Sequence, residues 1–198
     1  MIIKNIRMLV PVNVYNFKHN MKYLEELKKA MSILSDHPDT IFIGQAVEYP
    51  GTGLYDSLEH IPAYKKMEFP VAEYLQSGVV NGMAIEGMIP VSIFPRWNFL
   101  LMGTDQIVNH LDKFASMSLG KCTPKVIIRV AVGSERPVDP QDQHKGNFAE
   151  AFRQMCKTID IIELFEPEDI VPAYTLALNR TDGRSTLLVE FGDFSKEK

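Results

Sequence analysis

From residue 40 to residue 191 the chain alternates short β-branched or aromatic runs with helix-patterned segments, and that alternation constrains the fold most. Lys125-Val126-Ile127-Ile128-Arg129-Val130-Ala131-Val132 is the strongest strand pattern. Residues 40–44, 89–94, 159–164 and 185–191 read the same way, with too little polar alternation for a sheet wet on one face. A helix is predicted over 21–34, where Leu24, Leu27, Met31 and Leu34 recur at spacings of three and four. Pro70 opens a second helix through Ala72, Leu75, Val79, Val80 and Met83 towards Gly87. Asn98 caps a third that runs to about residue 118, with Leu101, Ile107, Val108, Leu111 and Phe114 inward. Further helices are predicted over about 146–157 and 167–179, with irregular loops over 48–64 and 133–142. Strands alternating with helices predict one α/β domain, a mainly parallel sheet flanked by helices on both faces.

Composition narrows the function. Twelve Gly and 12 Pro in 198 residues exclude a collagen-like or low-complexity chain. A formal charge of −4, with no strip of basic residues, argues against nucleic-acid binding. No stretch approaches the roughly 20 apolar residues of a membrane span. The first 20 residues carry Arg7 inside their apolar run and no cleavage-like site, so a cytoplasmic chain with an N-terminal extension is expected. Cys122 and Cys156 form no Cys-x-x-Cys pair and read as small apolar side chains. His19, His37, His60 and His110 show no metal-ligand spacing, so no metal is expected on this chain.

Three segments carry a resemblance. The first is Glu68-Phe69-Pro70-Val71-Ala72-Glu73-Tyr74-Leu75, running on to Gly78, Gly82, Gly87 and Pro90. The second is Trp97-Asn98-Phe99, then Asp105, Gln106, Asn109 and Lys113, closing at Gly120. The third is Ile128-Arg129-Val130-Ala131-Val132-Gly133 with a loop ending Asp142-Gln143-His144. Their order and spacing resemble the pyrimidine-binding domain of thiamine-diphosphate enzymes. The nearest type is the β subunit of 2-oxo acid dehydrogenase (decarboxylating) components, related to transketolase.

The resemblance implies concrete roles. A carboxylate at the position of Glu73 hydrogen-bonds the cofactor's aminopyrimidine and promotes loss of the thiazolium C2 proton, so that the cofactor carries the carbanion chemistry. Phe99 matches the aromatic that stacks on the pyrimidine. His144 matches a histidine facing the substrate. Asp105, Gln106 and Asn109 match positions of subunit packing and framework hydrogen bonding. Without the resemblance each has a plainer reading. A carboxylate suits any first helical turn, Phe99 suits a core, and His144 suits a solvated loop.

The family needs a second domain that holds Mg²⁺ and the diphosphate through Gly-Asp-Gly…Asn. Gly192-Asp193-Phe194 does not match that motif. One pyrimidine-binding domain is therefore expected over 1–198, with 192–198 as a polar tail and neither a diphosphate-binding nor a C-terminal transketolase domain. A diphosphate-binding α-type chain is the expected partner, in an α₂β₂-like assembly acting on a 2-oxo acid or ketose. The alternative is a binding or regulatory subunit that keeps the fold without the chemistry.

Two departures matter. Gln45 stands where the family carries an acid, and it cannot ionise. His144-Lys145-Gly146 replaces His-Ser-Gln, which puts a cation beside the histidine; this either favours an anionic substrate, the reading preferred here, or marks a loop free to vary.

Overall fold

The computed structural model describes residues 22–135 and 139–196; the N-terminal extension expected over 1–20 lies outside them. Six strands form one parallel sheet: β1 (Thr40–Gly44), β2 (Lys66–Glu68), β3 (Ile89–Phe94), β4 (Ile127–Val132), β5 (Ile159–Glu163) and β6 (Ser185–Phe191). Their order is β2-β1-β3-β4-β6-β5, every pair parallel. The helices are α1 (Tyr23–Asp36), α2 (Gly53–Asp56), α3 (Glu73–Ile85), α4 (Trp97–Leu100), α5 (Phe114–Met117), α6 (Ala149–Met155) and α7 (Pro167–Asn179).

Two apolar layers cover the sheet, giving the expected three-layer α/β architecture. On one face Leu27, Met31 and Leu34 of α1 and Ile170, Tyr174 and Ala177 of α7 pack with Phe42, Val91, Ile127 and Leu188. On the other, Val80 of α3, Trp97, Leu100 and Phe152 pack with Ile43, Phe94, Val130 and Val189. Central strands sandwiched in this way keep almost no polar positions, so their sequences are apolar without alternation.

A buried ion pair between two of these strands departs furthest from that pattern. Arg129 of β4 is fully buried and forms a two-pronged pair with Glu190 of β6, Nε to Oε1 at 2.6 Å and Nη2 to Oε2 at 2.9 Å. Tyr174 donates its hydroxyl to Glu190 at 2.5 Å, and Arg129 also reaches Ser57 Oγ. Burial, then the charge of Glu190, pushes the Tyr174 phenol well above its ordinary value, so it remains a donor.

Several expected bounds move. The helix expected from Pro70 begins at Glu73, because Ala72 at the N-cap is extended with φ −154°. Residues 66–68, left inside no element by the sequence pattern, pair with β1 as a short edge strand. The long helix from Asn98 is instead a broken helical run: α4, a 3₁₀ turn at Leu101–Gly103, a π-helical segment at Gln106–Leu111, then α5. Asn98 lies inside α4, and its side-chain Oδ1 accepts the Gly146 N–H at 3.3 Å instead of capping the helix. Leu101, expected inward, is 40% exposed.

After β6, Phe194 packs edge-on to Tyr23, with centroids 5.6 Å apart. Among the described residues no helix is long and apolar enough to cross a membrane.

Candidate active site

In an open parallel sheet, ligands collect at the carboxyl ends of the strands where the strand order reverses. Here β2 lies to one side of β1 and β3 to the other, so the reversal falls between β1 and β3. Gln45 leaves β1 at that edge, and the segment from Pro95 to Phe99 leaves β3 there. The two strands approach closely. A Cβ on Gly44 would stand 2.2 Å from the Ile93 carbonyl oxygen, so glycine is required.

Glu73 opens α3 at this edge and is only 7% exposed. Gln45 Nε2 donates to Glu73 Oε1 at 2.9 Å. Among the described residues Glu73 Oε2 has no hydrogen-bond partner. Ser77 Oγ donates back to the Glu73 carbonyl at 2.8 Å. The 3₁₀ turn seats against the same point: a Cβ on Gly103 would lie 2.5 Å from Ser77 Oγ and 3.2 Å from the Glu73 carbonyl. The result is a buried carboxylate with one oxygen fixed and the other available.

The turn carrying Gln45 is held by a residue the sequence reading quoted and assigned no role. Glu68, at the end of β2, accepts backbone N–H groups from Ala46 (2.9 Å), Val47 (2.8 Å) and Glu48 (3.0 Å). Ala46 adopts φ +58°, a left-handed conformation costly for alanine, and the three converging donors compensate for it. Glu68 is therefore a positioning residue for Gln45 and, through it, for Glu73.

Phe99 and His144 meet as a second pair, with ring centroids 5.4 Å apart at 74°. Among the described residues, His144 Nδ1 is buried and has no hydrogen-bond partner. Gly133 allows the His144 loop to close on β4, since a Cβ there would meet the His144 carbonyl oxygen at 2.0 Å. No hydrogen bond or ring contact joins the two pairs among the described residues, but one helical run links them. Asn98 and Phe99 hold the His144 loop, and Gly103 in the next turn abuts Glu73.

Hydrogen bonds tie α3 to the helical run that follows α4 and brace that run internally. Asn81 donates to the Gln106 carbonyl at 2.9 Å, Tyr74 to Asp105 at 3.3 Å, and Asn109 to Asp105 at 2.7 Å. Outward on α3, Tyr74 and Leu75 form an apolar surface, and Leu101 and Met102 are exposed on the adjoining turn.

Lys145 does not meet its expectation. Its Nζ is 3.0 Å from Glu135 and 3.1 Å from Asp139, and these hydrogen bonds raise its pKa from the ordinary lysine value. A cation already shared by two carboxylates has little attraction left for a substrate, so Lys145 fastens the loop. Asp193, from the Gly-Asp pair, accepts Ser134 Oγ and the Glu135 N–H, both at 2.9 Å. Among the described residues no group of three His, Cys, Asp or Glu could hold a metal ion.

No protein-family model matches the chain. Curated relatives do. It is 29% identical over 103 residues to a mitochondrial pyruvate dehydrogenase E1 β subunit of Drosophila melanogaster, covering 52% of this chain and 27% of the relative. It is 30% identical over 128 residues to the pyruvate dehydrogenase E1 β subunit of Rhizobium meliloti, covering 61% of this chain and 27% of the relative. Among solved structures it is similar to one described as a split-gene transketolase, inactive β4 tetramer, with a TM-score of 0.62 and 16% identity over 87% of this chain and 52% of that one. The chain resembles the pyrimidine-binding domain of thiamine-diphosphate enzymes in sequence and in fold. These matches span about half of this chain but only about a quarter of the two named relatives. Within that pyrimidine-domain fold, Glu73, Phe99 and His144 all stand at the carboxyl edge of the sheet.

Proposed function

We propose that this chain is the β-type, pyrimidine-binding subunit of a thiamine-diphosphate enzyme acting on a 2-oxo acid or a ketose. The observation that carries the reading is the half-satisfied carboxylate of Glu73, one oxygen fixed by Gln45 and the other without a partner. A first helical turn alone favours a carboxylate, but it does not call for one that is buried with an oxygen left unbonded among the described residues. An aminopyrimidine nitrogen, able to share a proton with a carboxylate, is the matching group.

Bound, thiamine diphosphate supplies carbanion chemistry that side chains lack. The residues of this chain hold and shield it. Glu73 Oε2 would accept or share a proton with the ring nitrogen. Gln45 holds the carboxylate in place and carries no proton itself. Phe99 would offer a ring face against the pyrimidine, and His144, packed edge-on against Phe99, would stand beside the substrate.

The diphosphate and Mg²⁺ belong on an α-type partner carrying the Gly-Asp-Gly…Asn motif absent from this sequence. The exposed Tyr74, Leu75, Leu101 and Met102 beside Glu73 support association at that edge. A β4 tetramer described as inactive supports the need for such a partner.

A second reading, a regulatory subunit without chemistry, draws on Gln45. Glu73→Gln in the assembled enzyme separates the two. The catalytic reading expects activity to fall roughly 100-fold or more with assembly unchanged. Full activity in that variant contradicts it.

A further inference from the structure

A second cation stands at the same sheet edge, and it is not matched like Lys145. Arg96, the residue before α4, is half-buried, and its side chain donates to the Pro95 carbonyl at 2.8 Å. Among the described residues no carboxylate lies within ion-pair distance of its guanidinium. A planar, permanently charged fork held out of water without an anion is an incomplete arrangement.

Arg96 lines a cavity of about 110 Å³ at the carboxyl ends of β3, β4 and β6. That is several times the roughly 30 Å³ share of one water, enough for a small oxyanion group but not for a whole sugar. Thr52, Gly53, Ser134 and Ser195 share the lining, so its walls are short side chains and hydroxyls. Glu190 also lines it, but both its oxygens are held by Arg129, so its charge is neutralised in place. Asp193, which accepts from Ser134, has its Oδ1 taken by that hydroxyl and the Glu135 N–H.

We infer that Arg96 and this cavity form an anion subsite, binding the carboxylate or phosphate head group of a small substrate through the guanidinium fork. The position connects it to the candidate active site. A Cβ on Gly133 would lie 3.3 Å from Arg96 Cδ and 2.0 Å from the His144 carbonyl oxygen, so the arginine stem and the histidine loop flank one glycine. An anion seated on Arg96 therefore projects the rest of its molecule along the edge where His144 stands. That link to catalysis rests on the thiamine-diphosphate reading. The anion subsite itself does not.

The test titrates the full chain, with any partner that purifies with it, using inorganic phosphate and acetate separately at matched ionic strength against chloride. Binding is followed by the Arg96 side-chain Nε NMR resonance and by calorimetry. One of the two anions is expected to saturate a single site. Arg96→Lys, which keeps charge without the fork, should weaken it about tenfold. Arg96→Met should abolish it, whereas Lys145→Met and Glu73→Gln should leave it unchanged. Phosphate saturation assigns a phosphorylated substrate, and acetate saturation a carboxylic acid. Saturation by neither anion overturns the inference, as does undiminished binding in Arg96→Met. Loss of binding in Lys145→Met moves the site to the loop and equally overturns it. A failure of the Glu73 reading would leave anion binding intact, so the two are separable.

Discussion

Gln45 Nε2 donates to Glu73 Oε1 at 2.9 Å, tying the end of β1 to the start of α3 where the strand order reverses. The amide does for Glu73 what a second acid would not, since it can donate without first taking up a proton. Gln45→Ala should therefore weaken thiamine-diphosphate binding by the assembly about tenfold, the worth of one hydrogen bond to a charged group. Calorimetric titration with Mg²⁺ present measures this, and unchanged affinity would remove Gln45 from the site.

Glu68 gathers three backbone N–H groups on one carboxylate. Glu68→Gln presents an amide hydrogen where an acceptor is needed, and should cost roughly 2 kcal/mol. For a chain of this size that lowers Tm by about 4–8 °C in scanning calorimetry. A shift under a degree would mean that the turn at Ala46 holds itself.

The Arg129–Glu190 pair should show the asymmetry of buried ions. Arg129→Met alone strands Glu190 and should cost about 3–5 kcal/mol. Combining it with Glu190→Leu should recover most of that loss, because no unpaired charge remains. Urea unfolding of the single and double variants decides the point.

Asp112 provides a pH signature. Burial works against its charge, but Lys113, the N–H groups of Thr158 and Lys157 and the Thr158 hydroxyl outweigh burial and lower its pKa. A depressed folded-state pKa stabilises the protein fully above the ordinary carboxylate value near 4, and that contribution is lost as pH falls through the lower folded value. Asp112→Asn should lower stability at pH 7 by roughly 2 kcal/mol and by progressively less as pH drops below about 4. Urea midpoints across that range test the sign.

The two cysteines should separate by reactivity. Burial, then the charge of Asp112, pushes the Cys156 thiol up to about 12, whereas Cys122 is only half-buried. At pH 8, iodoacetamide should modify Cys122 well before Cys156, as peptide mass spectrometry would show.

Much of this architecture is written in local pattern. The bounds of β1, β3, β6 and α7 follow from apolar runs and from Pro167, because burial on both faces or a proline at a helix start leaves a local trace. β2 has no such trace. It is three residues at a sheet edge, fixed by pairing with β1 rather than by its own composition. The helical run after Trp97 breaks because Gly103 must approach Glu73, a contact 30 residues apart that periodicity does not register.

Among site residues, Glu73, Phe99 and His144 entered through a resemblance, and the geometry shows what each is bonded to or packed against at the sheet edge. Glu68 and Arg96 went unassigned for opposite reasons. Glu68 acts on backbone donors brought together only by the turn. Arg96 stands out only because no acid reaches it in the fold, whereas Lys145, conspicuous in sequence, is already paired.

The most direct measurement is calorimetric titration of thiamine diphosphate with Mg²⁺ into the tagged full chain, purified from its own cells with whatever remains bound. The account predicts saturable binding of one cofactor per chain in an assembly holding a stoichiometric Gly-Asp-Gly…Asn partner. A chain that purifies alone and takes up no cofactor under those conditions would contradict it.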